Sequence, residues 1–184
     1  MQSAYLGIDP SYTGYGLVAV GEQEDLHRLR VLRFHEFAFP TSRYGTGAAR
    51  LSRIYYMLRT TFEDISESYE VRRICIEGYA PGKKFGRESA GELGGITRVA
   101  LASVFDPGLI SVTAPTGLKK FTCGVGTASK DQMLLSVYKK WGEDFQSDNL
   151  ADAYGLARIA YALVNGPEFQ YEKAVLDAMN KKAE

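Results

Sequence analysis

The order of β-rich and helix-periodic segments is what most limits how this chain can fold. Three β-rich runs come first, joined by short links. They are Ala4 to Ile8, closed by Asp9-Pro10; Gly14 to Val20 (GYGLVAV); and Arg30 to Phe39, where Val31, Arg33, His35 and Phe37 alternate with Leu32, Phe34, Glu36 and Ala38. Such spacing predicts an antiparallel meander. From Gly47 to Ser66 the period changes: Leu51, Ile54, Tyr55, Leu58, Phe62 and Ile65 recur at three and four residues, the stripe of an amphipathic helix. Strands and helices then alternate, with a strand from Arg72 to Glu77 (RRICIE), a helix from Glu88 to Phe105, and a strand from Leu109 to Val112 stopped by Pro115. Helices follow from Ser129 to Trp141 and from Asp148 to Val164, the latter ended by Asn165-Gly166-Pro167. A last helix from Glu168 to Lys182 offers Phe169, Val175, Leu176 and Met179 to a core. A meander followed by βα units predicts an α/β fold: a mixed five-stranded sheet with helices on both faces.

A length of 184 residues suits one domain. Residues 1–166 form its body and 167–184 a helical extension of the same domain. Only two cysteines occur, Cys75 and Cys123, and two histidines, His27 and His35. That excludes a disulfide framework and argues against a zinc site. Both cysteines read as small buried hydrophobes. No apolar run approaches the roughly 20 residues of a membrane span, and MQSAYLGID lacks a signal-peptide layout. The expectation is a soluble cytoplasmic protein that is not secreted.

Acids stand in unusual places. Asp9 ends an apolar strand, and Glu77 ends another after Ile74-Cys75-Ile76. Asp148 and Asp152, four residues apart, share one helix face. Taken singly, Asp9 also suits a turn before Pro10, Glu77 a solvent-facing strand end, and Asp148 a helix N-cap. Asp152 has the weakest such alternative, because Leu150, Ala153, Leu156 and Ala157 surround it with apolar groups. In this order of elements the four can converge. Clustered carboxylates repel one another, and hard divalent cations such as Mg2+ relieve that repulsion through oxygen ligands. Two such ions about 4 Å apart would clamp a phosphodiester.

The formal net charge is zero, but it is unevenly spread. From Gly82 to Lys140 there are nine basic residues against four acids, an asymmetry suited to a phosphate backbone. Lys139 and Lys140 read as solvated helix surface. Lys119, Lys120 and Lys130 are the better candidates for phosphate contact, with Lys83, Lys84 and Arg87. Tyr79 and Phe85 lie in the same basic loop, where each can stack on an unpaired base or pack against the next helix. Gly124-Val125-Gly126 reads as a close backbone approach to a ligand or as a tight turn, and Thr127 and Ser129 as caps of the next helix. Gly91, Gly94 and Gly95 inside a helix suggest close packing, within the subunit or across a dimer.

The element order is that of the ribonuclease H-like fold. GIDPSYTGYG, ICIEGY, LKKFTCGVGTASKDQM and DNLADAYGLA resemble the successive blocks of RuvC-type Holliday junction resolvases, over about residues 4 to 165. Asp9, Glu77 and Asp152 match that family's first-strand, fourth-strand and last-helix acids. Lys119 and Lys130 match its basic positions beside the active site. The resemblance implies a homodimeric endonuclease that cuts four-way DNA junctions with two Mg2+ ions per site, Mn2+ substituting. One position departs from the bacterial pattern: the fourth acid, three residues before the last, is Asn149 here, and Asp148 precedes it. That block is more similar to divergent viral relatives, which points to a phage enzyme. The helix from Glu88 to Phe105 is the expected dimer surface. The competing readings are a ribonuclease H-like nuclease on RNA or RNA–DNA hybrids and a non-catalytic nucleic-acid-binding module.

Overall fold

The computed structural model describes residues 1–23, 28–78 and 87–181. The meander forms as the pattern requires: β1 (Gln2–Asp9), β2 (Tyr15–Gln23) and β3 (Arg28–Phe37) pair antiparallel in sequence. Two helices follow, the short α1 (Thr41–Tyr44) and α2 (Gly47–Ser68). Next come β4 (Tyr69–Glu77), α3 (Arg87–Ala102) and β5 (Ile110–Thr113). The chain ends with α4 (Pro115–Cys123), α5 (Lys130–Trp141), α6 (Asp148–Asn165) and α7 (Gln170–Asn180). The strands form one sheet in the order β3-β2-β1-β4-β5, with β4 parallel to both β1 and β5. This is the mixed five-stranded sheet expected.

Strand alternation divides the interior in two. Leu6, Ile8, Leu17, Ile74 and Ile76 point to one face, where Ile54, Leu58, Phe62 and Ile65 of α2 and Leu93 and Ala100 of α3 bury them. Tyr5, Val18, Val20 and Cys75 point to the other, under α4, α5, α6 and α7. Helices therefore cover both faces. Burial of each such aliphatic side chain contributes about 1.5–3 kcal/mol, so one-residue slips between strands would be costly.

α6 is apolar nearly all round, with eleven buried residues from Leu150 to Ala162. It lies directly on β1, and Gly7 makes that possible: a Cβ there would come 1.9 Å from the Ala153 carbonyl oxygen. The approach fixes the height of α6 above the strand ends, and with it the place of its first turn.

Several sequence expectations change. Pro115 does not only stop β5; it occupies the first turn of α4, where its missing N–H costs nothing. Gly124 is the left-handed cap of that helix, at φ 80°, so its glycine is explained by the chain turn and not by a ligand. Ser129 does cap α5, accepting from the Gln132 amide in a reciprocal capping box. Asp148 is not an N-cap, because Ser147 holds that position and Asp148 is in the first turn. Lys140 is not solvated surface. Its side chain is 13% exposed, ion-paired with the 3%-exposed Glu172 of α7, and set over the Trp141, Phe121, Phe169 and Tyr171 rings. This contact, with buried Val175 and Leu176, fastens the C-terminal helix to the body. Cys75 is fully buried, whereas Cys123 is only partly so.

Candidate functional site

The site begins with strand register. Asp9 of β1 stands opposite Gly16 of β2, which stands opposite Glu36 of β3. On the other side Ile8 pairs with Ile76, which puts Asp9 beside Glu77, and Glu77 pairs with Thr113 of β5. Glu36, Gly16, Asp9, Glu77 and Thr113 thus form one row across the carboxyl end of β1. Side chains in one row share a face, and this row shares its face with Gly7 and Cys75, under α6. The first turn of α6 lies on that row, because Gly16 has no side chain: a Cβ there would come 2.3 Å from the Asn149 carbonyl oxygen.

Glu77, Asp148 and Asp152 therefore come within electrostatic reach of Asp9, four acids from three chain segments. Asp9 is buried at 8% exposure. Its carboxyl is held well above the usual range, first by burial, then by the Glu77 charge and a hydrogen bond with Glu77, then by Asp148. Asp152 is pushed up to about 7, first by burial and next by the charges of Asp9 and Asp148. Lys130 and Lys119 act against this rise. Lys130, in the first turn of α5, donates to Asp148 Oδ2, and that bond is the main cause of its own raised pKa. The capping box at Ser129 fixes where Lys130 starts. The Lys119 charge acts on Asp152 from α4, which lies close to α6 because Gly155 has no side chain: a Cβ there would come 2.7 Å from Thr122 Oγ1.

Of the residues singled out in the sequence, the structure brings Asp9, Glu77, Asp148, Asp152 and Lys130 together at one end of the sheet, and the Lys119 charge acts on Asp152. Lys120 is exposed on the same short helix as Lys119. Tyr79, Lys83, Lys84 and Phe85 lie outside the described residues, and of Arg87 only the backbone is described, at the start of α3. Asn149 departs from the cluster. Its side chain lies over Gly14 and its Nδ2 donates to Glu36 Oε1 at 2.9 Å. Sequence reasoning passed over Glu36 and Ser147, since Glu36 reads only as one polar residue of an alternating strand.

Among the described residues, no three His, Cys, Asp or Glu side chains are drawn close enough to form a ready-made cation cage. Asp9 is engaged with Glu77, and Asp148 with Lys130. The donor set nonetheless fits a hard divalent cation: it is all carboxylate oxygen, and its self-repulsion is the kind such an ion relieves. A cavity of about 640 Å³ lies far from this set, towards the other end of α6. Glu22, Trp141, Arg158 and Tyr161 line it. It holds none of the acids.

No protein-family model matches the sequence, and no curated protein is similar to it. Among solved structures the chain is similar to Thermus thermophilus RuvC, at 22% identity and TM-score 0.66, over 91% of this chain and 98% of that one. The same values hold for T. thermophilus RuvC in complex with a Holliday junction substrate. It is also similar to the yeast mitochondrial Holliday junction resolvase Ydc2, at 13% identity and TM-score 0.58, over 98% of this chain and 82% of that one. The fold is thus the ribonuclease H-like fold of the RuvC-type resolvases. Among the described residues no helix is long and apolar enough to cross a membrane.

Proposed function

We propose that this chain is a structure-selective DNA endonuclease that resolves Holliday junctions by Mg2+-dependent phosphodiester hydrolysis, acting as a homodimer. The convergence of Asp9 and Glu77, neighbours in one row of the sheet, with Asp148 and Asp152 of α6 above it, and with Asp9 buried among like charges, carries the reading. A structural role does not account for a buried carboxylate whose neighbours are carboxylates; such a group weakens the fold unless it serves a ligand. The two solved resolvases of the same fold favour branched DNA as the substrate.

Asp9, Glu77, Asp148 and Asp152 would hold the metal ions, Mg2+ or Mn2+. Bound there, two ions would lower the pKa of an attacking water and neutralise the leaving oxygen. The chain's own part is positioning and charge. Asp9 and Glu77 are carried on adjacent strands of a packed sheet, so their separation is set by the ladder. Lys130 and Lys119 bring positive charge to the edge of the cluster, where they would stabilise the negative charge that grows on a phosphoryl group at the transition state. Lys120, Lys83, Lys84 and Arg87 would neutralise backbone phosphates, and Tyr79 or Phe85 would stack on an unpaired base.

One subunit carries one acid cluster. A four-way junction presents two equivalent strands related by an approximate two-fold axis, so a two-fold dimer matches it. The exposed side of α3 is the proposed dimer face. A Cβ at Gly91 or Gly95 would meet nothing within 4 Å, and Val99 is 57% exposed. Among the described residues, side-chain packing within the subunit therefore does not call for a glycine at Gly91 or Gly95.

The test is incubation of the purified protein with Mg2+ and a synthetic four-way junction, beside linear duplex and RNA–DNA hybrid. Paired nicks in the junction alone support the proposal. Preferential cutting of the hybrid would replace it with a ribonuclease H reading. Junction binding without cutting in Mg2+ or Mn2+ would leave only a binding module.

A further inference from the structure

We propose that Glu36, on the edge strand β3, is a positioning residue for the acid cluster: with Ser147 and Asn149 it forms a clamp that sets the rotation of α6, so that Asp148, and not the residue at position 149, faces Asp9. This rests on the nuclease reading for its consequences but not for its geometry.

The row across the sheet makes the argument. Asp9 and Glu36 flank Gly16 on its two neighbouring strands, on the same face. The first turn of α6 settles over Gly16, between two carboxylates. It must present one side to each. Ser147 Oγ donates to Glu36 Oε1 at 2.6 Å, and Asn149 Nδ2 donates to the same oxygen at 2.9 Å. Asn149 Nδ2 also lies 3.5 Å from Ser147 Oγ, so the three side chains close on one another. Gly14 completes the seat, since a Cβ there would come 2.1 Å from Asn149 Nδ2.

With that side fixed to Glu36, the opposite side of the turn carries Asp148 and Asp152 towards Asp9. From there the Asp148 charge acts on both Asp9 and Asp152. The chemistry at position 149 follows. A carboxylate there would face the Glu36 carboxylate, which it would repel, whereas an amide donates to it. The clamp and the change from acid to amide at Asn149 are therefore one arrangement, in which the fourth acid moves one residue back to Asp148.

Groups that orient metal-binding side chains from behind typically change metal affinity or activity by about 10- to 100-fold when removed. Five proteins test the idea: wild type, Glu36→Ala, Glu36→Gln, Asp148→Asn, and Asp148→Asn combined with Asn149→Asp. Three quantities are measured on each: Mn2+ affinity from the electron paramagnetic resonance of the free ion, single-turnover junction cleavage, and hydrogen exchange of the Ala151 amide, which closes the first turn onto Ser147. Glu36→Ala is expected to weaken Mn2+ binding and slow cleavage by about tenfold or more, to speed Ala151 exchange, and to leave the melting temperature almost unchanged because Glu36 is exposed. Glu36→Gln keeps an acceptor oxygen and should restore most of all three. The double variant should stay as inactive as Asp148→Asn, because Asp at position 149 faces the wrong way. Wild-type behaviour of Glu36→Ala in all three measurements, or recovery of cleavage in the double variant, overturns the clamp. If wild type neither binds Mn2+ nor cuts, the nuclease reading fails by itself. Ala151 exchange then decides the clamp alone: faster exchange in Glu36→Ala upholds it, and unchanged exchange overturns it.

Discussion

Removing the charge at Asp9 should make the metal-free protein more stable, in a pH-dependent way. Asp9 is buried, and its carboxyl is held well above the usual range by burial first and by Glu77 and Asp148 next. Asp152 rises from an ordinary value of 3.8 to about 7 for the same reasons, Asp9 being its largest charged cause. A carboxyl raised in the folded state keeps its proton where the unfolded chain has lost it. Its contribution is therefore present at low pH and is lost as pH rises through the folded value. Wild type should weaken steadily from about pH 4 to about pH 8 in the absence of divalent cations. For Asp152 alone the full displacement corresponds to about 4 kcal/mol. Burial is the leading cause and survives the substitution, so about 1 kcal/mol is a fair share for the Asp9 charge, and the loss of Asp9's own ionisation acts in the same direction. Asp9→Asn should then melt at least about 2–4 °C higher than wild type at about pH 8. The two should nearly coincide below about pH 4, where both acids are protonated in the folded and the unfolded chain alike. Differential scanning calorimetry in EDTA across this range measures the gap, and added Mg2+ should raise wild type more than the variant. A variant no more stable at about pH 8, or a gap that ignores pH, would refute the claim that the acids strain one another.

Three further outcomes are expected. Lys140→Ala should cost about 3–5 kcal/mol in urea unfolding, because it strands buried Glu172, while Lys139→Ala should change stability by less than about 0.5 kcal/mol. Lys119→Ala should flatten the log–log salt dependence of junction binding by about 0.9 if its ammonium meets one duplex phosphate, and slow cleavage more than it weakens binding. A thiol reagent should modify Cys123 in the native protein, slowly because burial raises its pKa, and reach fully buried Cys75 only on unfolding.

What the sequence made legible was local. The meander, the helix faces of α2 and α6, and acids closing apolar strands are all periodic patterns or breaks in them. They led to the sheet that the structure shows and to four carboxylates that it brings near one another. What escaped depended on partners far away in the chain. α4 escaped because Pro115 reads equally as the end of β5 and the start of a helix; only the fit of Leu118, Phe121 and Thr122 against the body decides for the helix. Lys140 escaped because its cage is completed by Phe169, Tyr171 and Glu172 of another helix. Asn149 is the most instructive case. Read along the chain it is a missing acid, and Asp148 a neighbour at a workable spacing. Read across the sheet, Glu36 lies in the row of Asp9, more than a hundred residues before α6, and takes both the Ser147 and the Asn149 donors. A one-residue shift of an acid along a helix moves its side chain by about 100°, so it is harmless only if the helix is held at a matching rotation. In the proposed clamp Glu36, Gly16 and Gly14 supply that hold, so Asn149, where the chain departs from the RuvC-type pattern, and the group proposed to compensate for it are separated in sequence but touch in the fold.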